Sequence, residues 1–77
     1  VLFEAPIDQV RPFVSAPMGR LEVVDDDSCR LVGSTSNPAM YAGEWLAWMP
    51  LVFRIEGDEA LRAAAGDVAA RMARAVE

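Results

Sequence analysis

The sequence predicts an α+β domain: one antiparallel sheet of four short strands, two helices on one of its faces, and an additional helix at the C-terminal end. Three observations predict it. Apolar and charged residues alternate over residues 20–32 and again over 51–56, the period of half-buried strands. Apolar residues recur at i, i+4 and i+7 over residues 39–49 and along the final stretch from Leu61, the period of helices. Pro, Gly and Asp stand wherever one period gives way to the other.

Val1, Leu2, Phe3 and Glu4 form a first strand. Ala5-Pro6 opens a helix, because Pro is tolerated in the first turn and Asp8 favours the positive helix end. Pro12 cannot sit deep in a helix, so this one is short, with Phe13 and Val14 packing as it ends. A loop from Ser15 to Gly19 leads into a hairpin. A three-residue turn at Asp25-Asp26-Asp27 pairs Val23 with Cys29 and Leu21 with Leu31 on one face, and Glu22 with Arg30 on the other. A slip of one residue destroys both matches, so the register is well specified. Asn37-Pro38 caps the helix over 39–49, and Pro50 ends it. Leu51, Phe53 and Ile55 alternate with Val52, Arg54 and Glu56 in a fourth strand. Gly57, Asp58 and Glu59 start the last helix, with the stripe Leu61, Ala65, Val68, Met72 and Ala75 or Val76. The first six elements follow the βαββαβ pattern of the ferredoxin-like fold. Leu21, Val23, Leu31, Phe53 and Ile55 are the expected buried sheet face.

Composition bounds the function. Seventy-seven residues make one domain, 1–77. The domain is small enough to have little margin by itself, and it begins with Val1 rather than Met. It is therefore read as an excised or processed fragment of a longer chain. No apolar run is long enough to span a bilayer and no signal peptide is present. One cysteine, Cys29, excludes an internal disulfide and suits the cytoplasm. The net charge is -5, with seven basic residues, all Arg, so the overall field opposes non-specific binding of duplex nucleic acid.

An enzyme is hard to build from these residues, and no catalytic residue, metal ligand or cofactor is assigned. The chain has no His to shuttle protons near neutrality. Cys29 falls on the inward face, where a thiol acts as a small hydrophobe. The three aspartates lack the spacing, central Gly and terminal Glu of a calcium loop and read as turn formers. Two features point to binding. Tyr41, Trp45 and Trp48 make an aromatic stripe beside the core stripe Ala42, Leu46 and Met49, and are assigned to a partner interface, with burial in the chain's own core as the alternative. Arg20, Arg30 and Arg54 project from the uncovered sheet face and are assigned to an anion site, against a salt-bridge lattice with Glu22 and Glu56.

The segment Glu44-Trp45-Leu46-Ala47-Trp48-Met49, the alternating strand after it and the helix opening Glu59-Ala60-Leu61-Arg62 together resemble the C-terminal extension that follows the WYL domain in bacterial transcription regulators. The resemblance runs from Leu2-Phe3-Glu4-Ala5-Pro6 to the Arg- and Ala-rich final helix. Met49-Pro50 departs from it, since such domains often carry Leu-Gly there. It implies a parent chain with an N-terminal helix-turn-helix that binds DNA, a WYL domain, and this extension sensing an effector or holding a homodimer. It also implies an anionic or nucleotide-like effector. The alternatives are a free-standing ferredoxin-like regulatory module that binds a small molecule, or a fragment of a small acylphosphatase-like enzyme.

Overall fold

In the computed structural model, which describes all residues 1–77, the elements follow in the order β1 (Leu2–Phe3), α1 (Ile7–Val10), β2 (Arg20–Asp25), β3 (Ser28–Val32), α2 (Pro38–Met40), β4 (Phe53–Arg54) and α3 (Glu59–Ala75). They divide into two compact units. The first comprises Val1–Ser34 and Met49–Glu56, and the second Thr35–Trp48 and Gly57–Glu77.

The first unit holds the sheet, whose four strands run β2-β3-β1-β4 with every pairing antiparallel. In the hairpin Leu21 faces Leu31, Glu22 faces Arg30 and Val23 faces Cys29, the register that alternation and charge predict. The turn itself is tighter than the expected three residues. Asp25 pairs with Ser28, only Asp26 and Asp27 are left to turn, and a bulge at Val24 absorbs the extra residue. Asp25 shapes this turn, its Oδ1 accepting the Asp27 N–H and the Ser28 hydroxyl, each at 2.8 Å.

The inner face of the sheet carries the row Val23, Cys29, Phe3 and Phe53 across the four strands. Phe3 and Cys29, on the two central strands, are fully buried, and the Phe3 and Phe53 rings meet at 5.8 Å with a 57° tilt. Leu31 is buried, whereas Leu21, Phe53 and Ile55 are half-buried. Val23 departs from the expected buried face and is 65% exposed. It sits on the outermost strand next to the turn, where a neighbour exists on one side only. Ala5, Val10 and Met18 complete the buried set of this unit. α1 is as short as Pro12 requires and passes into a 3-10 turn, Arg11–Phe13. Phe13, expected to pack there, stays exposed. β4 is also shorter than the alternation over 51–56 suggests, because only Phe53–Arg54 pair with β1, although Val52 accepts a further bond from the Glu4 N–H.

The second unit is helical. Asn37 caps α2, its Oδ1 accepting the Met40 N–H at 3.1 Å, with Pro38 at the first helical position. The expected regular helix over 39–49 is not formed. After one α turn the chain widens into a π turn at Tyr41–Trp45, where the Leu46 N–H reaches the carbonyls of both Ala42 and Tyr41. It then tightens into a 3-10 turn at Leu46–Trp48. α3 packs against this segment, with the Val68 methyl group 4.0 Å from where a side chain at Gly43 would begin. Asp58 caps α3 through the Leu61 N–H at 3.0 Å, and Glu59 in the first turn and Arg74 in the last suit its dipole. The α3 stripe is covered only in its first half. Leu61 is buried, Ala65 and Val68 are half-buried, and Met72 and Val76 are exposed, contrary to expectation. No helix is long and apolar enough to cross a membrane.

Candidate functional site

Strand register decides which side chains share the outer sheet face. Because Glu22 faces Arg30, Arg30 faces Leu2 and Leu2 faces Arg54, these four form one row across all four strands. Arg20, opposite Val32, lies two residues from Glu22 on β2 and so on the same face. The structure therefore brings Arg20, Arg30 and Arg54 onto one surface, separated by Glu22 and Leu2.

Each of the three guanidinium groups has a carboxylate. Arg20 Nη2 donates to Glu22 at 2.9 Å. Arg30 makes a two-pronged pair with Glu56, Nε donating at 2.7 Å and Nη2 at 3.2 Å. Arg54 lies 3.5 Å from Glu4, the loosest of the three contacts. Glu4 is the partner that the sequence reading did not assign. Its position two residues past Leu2, with its N–H bonded opposite Val52, is the signal that places it on this face. Each of the three positive charges thus has a negative one beside it, and the face is a salt-bridge lattice at the surface. The bonds from Arg30 hold the Glu56 carboxyl below the usual carboxylate range, and the same contact raises the Arg30 guanidinium further.

The aromatic stripe is divided by the backbone that carries it. Tyr41 is buried and meets Trp45 edge to face, with centroids 5.0 Å apart at 68°. Trp48, after the π turn, is 82% exposed. The three residues therefore do not form one surface, and the open one is Trp48.

The remaining reactive groups are enclosed or local. Burial raises the Cys29 thiol and the Tyr41 hydroxyl above their ordinary values, so neither is activated as a nucleophile or base. The hydrogen bond from Ser28, supported by the Asp27 N–H, lowers the Asp25 carboxyl. No group of three or more acidic or Cys side chains is arranged to hold a metal ion. What these groups can do chemically, each within its own unit, is exchange partners: a guanidinium of the sheet unit can leave its carboxylate for another anion, and the exposed indole of the helical unit can enter an apolar pocket. No protein-family model, curated protein or solved structure matches this chain.

Proposed function

We propose that this chain is a non-catalytic regulatory module of the cytoplasm. In this reading it is the ferredoxin-like, effector-sensing and oligomerisation extension of a WYL-type bacterial transcription regulator, whose DNA contacts are made by a separate helix-turn-helix domain. The observation that carries the proposal is Trp48, a large apolar side chain 82% exposed in a helical unit whose two other aromatic residues, Tyr41 and Trp45, pack on each other. Such an indole is the kind of anchor that interfaces use. The strand order β2-β3-β1-β4 and the extra helix α3 are compatible with the ferredoxin-like assignment.

The test uses tryptophan emission. In a Trp45→Phe chain, Trp48 is the one remaining indole, and its emission is expected to shift to the blue when the adjoining WYL domain is added or joined. Emission that stays unchanged while the two domains bind places the interface elsewhere. The coding sequence upstream of Val1 is the second check, since a helix-turn-helix pattern there supports the regulator and its lack removes it.

Effector sensing has its own observation. Arg54 is three-quarters exposed, is held loosely by Glu4, and lies across Leu2 from Arg30. A nucleotide-like anion bridging these two arginines has to displace Glu4 and Glu56, so its binding by this domain is weak and falls with salt. Titration of a mononucleotide into the native chain and an Arg30→Ala, Arg54→Ala chain decides it. Equal binding by the two removes the site.

A further inference from the structure

The two edges of the sheet are not alike. β4 pairs through only two residues and follows Pro50, which leaves little to extend. β2 is six residues long, carries no proline, and has β3 on one side and no strand on the other. Long edge strands are usually blunted, by proline, by a bulge or by an inward-pointing charge. The bulge at Val24 ends the regular edge, but residues Arg20 to Val23 before it carry neither proline nor an inward charge, since the inward positions are Leu21 and Val23, and Val23 is 65% exposed.

The hydrogen bonds identify which groups this edge offers. The backbones of Val1 and Leu31 bond to each other in both directions, at 2.8 and 3.1 Å. Leu31 therefore turns its N–H and C=O toward β1, and its partner on the other side, Leu21, turns its own away from β3. Two residues on, the same alternation directs the backbone groups of Val23 outward.

We propose that β2 is the self-association edge of this protein, pairing antiparallel with β2 of a second copy about a two-fold axis at Leu21. This deepens the assembly reading above, on which it rests, by naming the partner and the register. A two-fold axis between antiparallel strands has to place one residue opposite itself. Centring on Glu22 sets two carboxylates face to face. Centring on Val23 sets Asp25 against Leu21, brings the bulged Val24 opposite Glu22, and leaves Arg20 facing Asp26, which lies past the strand in the turn. Centring on Leu21 sets Arg20 opposite Glu22 of the copy, twice, on the outer face, where opposite charges stabilise a strand pair. In the same register Leu21 and its counterpart exchange two backbone bonds, and the exposed Val23 lies across from Gly19, which has no side chain to obstruct it. An acidic chain that repels its copy at long range is matched along this one strip.

The experiment is sedimentation equilibrium of the native chain up to concentrations on the order of 1 mM, beside Arg20→Glu, Glu22→Arg and Trp48→Ala chains whose folding is checked by circular dichroism. The native chain is expected to dimerise. Each single charge variant sets like charges opposite each other and is expected to dimerise about tenfold more weakly or worse. An equimolar mixture of the two restores complementarity at both pairs and is expected to form the heterodimer. A native chain that stays monomeric, or charge variants that dimerise as well as the native chain, overturns β2 pairing. If dimerisation is lost in Trp48→Ala and kept in both charge variants, the Trp48 interface stands and the edge-strand inference falls.

Discussion

Gly19 and Gly33 face each other at the open end of the hairpin, with no room for a side chain on either. A β-carbon on Gly19 would lie 2.3 Å from the Val32 carbonyl oxygen, and one on Gly33 would lie 2.5 Å from the Met18 carbonyl oxygen. Both obstacles are backbone, so relief requires moving the strand. Gly19 also holds φ at +134°, a region that side chains avoid. Replacing either residue by Ala is expected to cost roughly 2 kcal/mol or more in urea denaturation. Gly66, inside α3 with open space around it, is the opposite case. Gly66→Ala is expected to raise stability by about 0.5–1 kcal/mol.

The Arg30–Glu56 pair predicts a pH dependence with a definite sign. Glu56 titrates lower in the folded chain than in the unfolded one because Arg30 bonds to its ionised form. Its contribution is therefore complete above the unfolded carboxylate value of about 4.3 and is lost as pH falls through the lower folded value. Thermal melts of the native chain and a Glu56→Gln chain are expected to differ most at neutral pH and to converge in acid. Asp25, lowered by Ser28 and Asp27, contributes with the same sign, so Ser28→Ala is expected to lessen the acid sensitivity further. Curves that stay parallel to pH 2, roughly, exclude this origin.

The central strand carries more of the stability than the edge. Phe3 is fully buried, while Phe53 on β4 keeps part of its ring in water. Phe3→Ala is expected to cost about 3–5 kcal/mol and Phe53→Ala about half of that. Equal losses in chemical denaturation would show that the two rings act as a single packed unit.

Cys29 serves as a gauge of sheet opening. Its thiol is buried and its ionisation is disfavoured by that burial. A thiol reagent such as a disulfide dye is expected to react slowly with the native chain and at the rate of a free thiol in urea. Fast labelling without denaturant would show that β3 separates from a neighbour far more readily than its two-sided pairing implies.

How much of this was legible in the sequence depended on the kind of order involved. The hairpin register was legible because two independent signals, apolar alternation and the Glu22–Arg30 pair, select it. Asn37 and Asp58 were legible as caps because their side chains act on residues three positions away. The exposure of Val23 was not, since alternation assigns a residue to a face and says nothing of how far that face is covered. Met72 and Val76 escaped for the same reason on α3. The arginine face was read correctly as a shared surface, but the Glu4 partner of Arg54 depends on how β1 meets β4, a pairing between residues about fifty apart in the chain.

The π turn at Tyr41–Trp45 changes the angular accounting of everything after it. A regular helix rotates about 100° per residue, so positions 41, 45 and 48 return to nearly one bearing. A widened turn uses an additional residue for the same rotation and sets the following side chains back, while the 3-10 turn at Leu46–Trp48 advances about 120° per residue and recovers part of that lag. In these terms the bearing of Trp48 is the balance of two opposite departures from the regular helix, and it falls where the indole is 82% exposed. The extra residue thus converts a continuous aromatic stripe into an internal pair and a detached indole. Deleting Gly43, which restores the regular count, is expected to turn position 48 back toward the bearing of Tyr41 and quench its exposure. The spacing of the backbone, rather than the identity of the side chain, makes this tryptophan available to anything outside the fold.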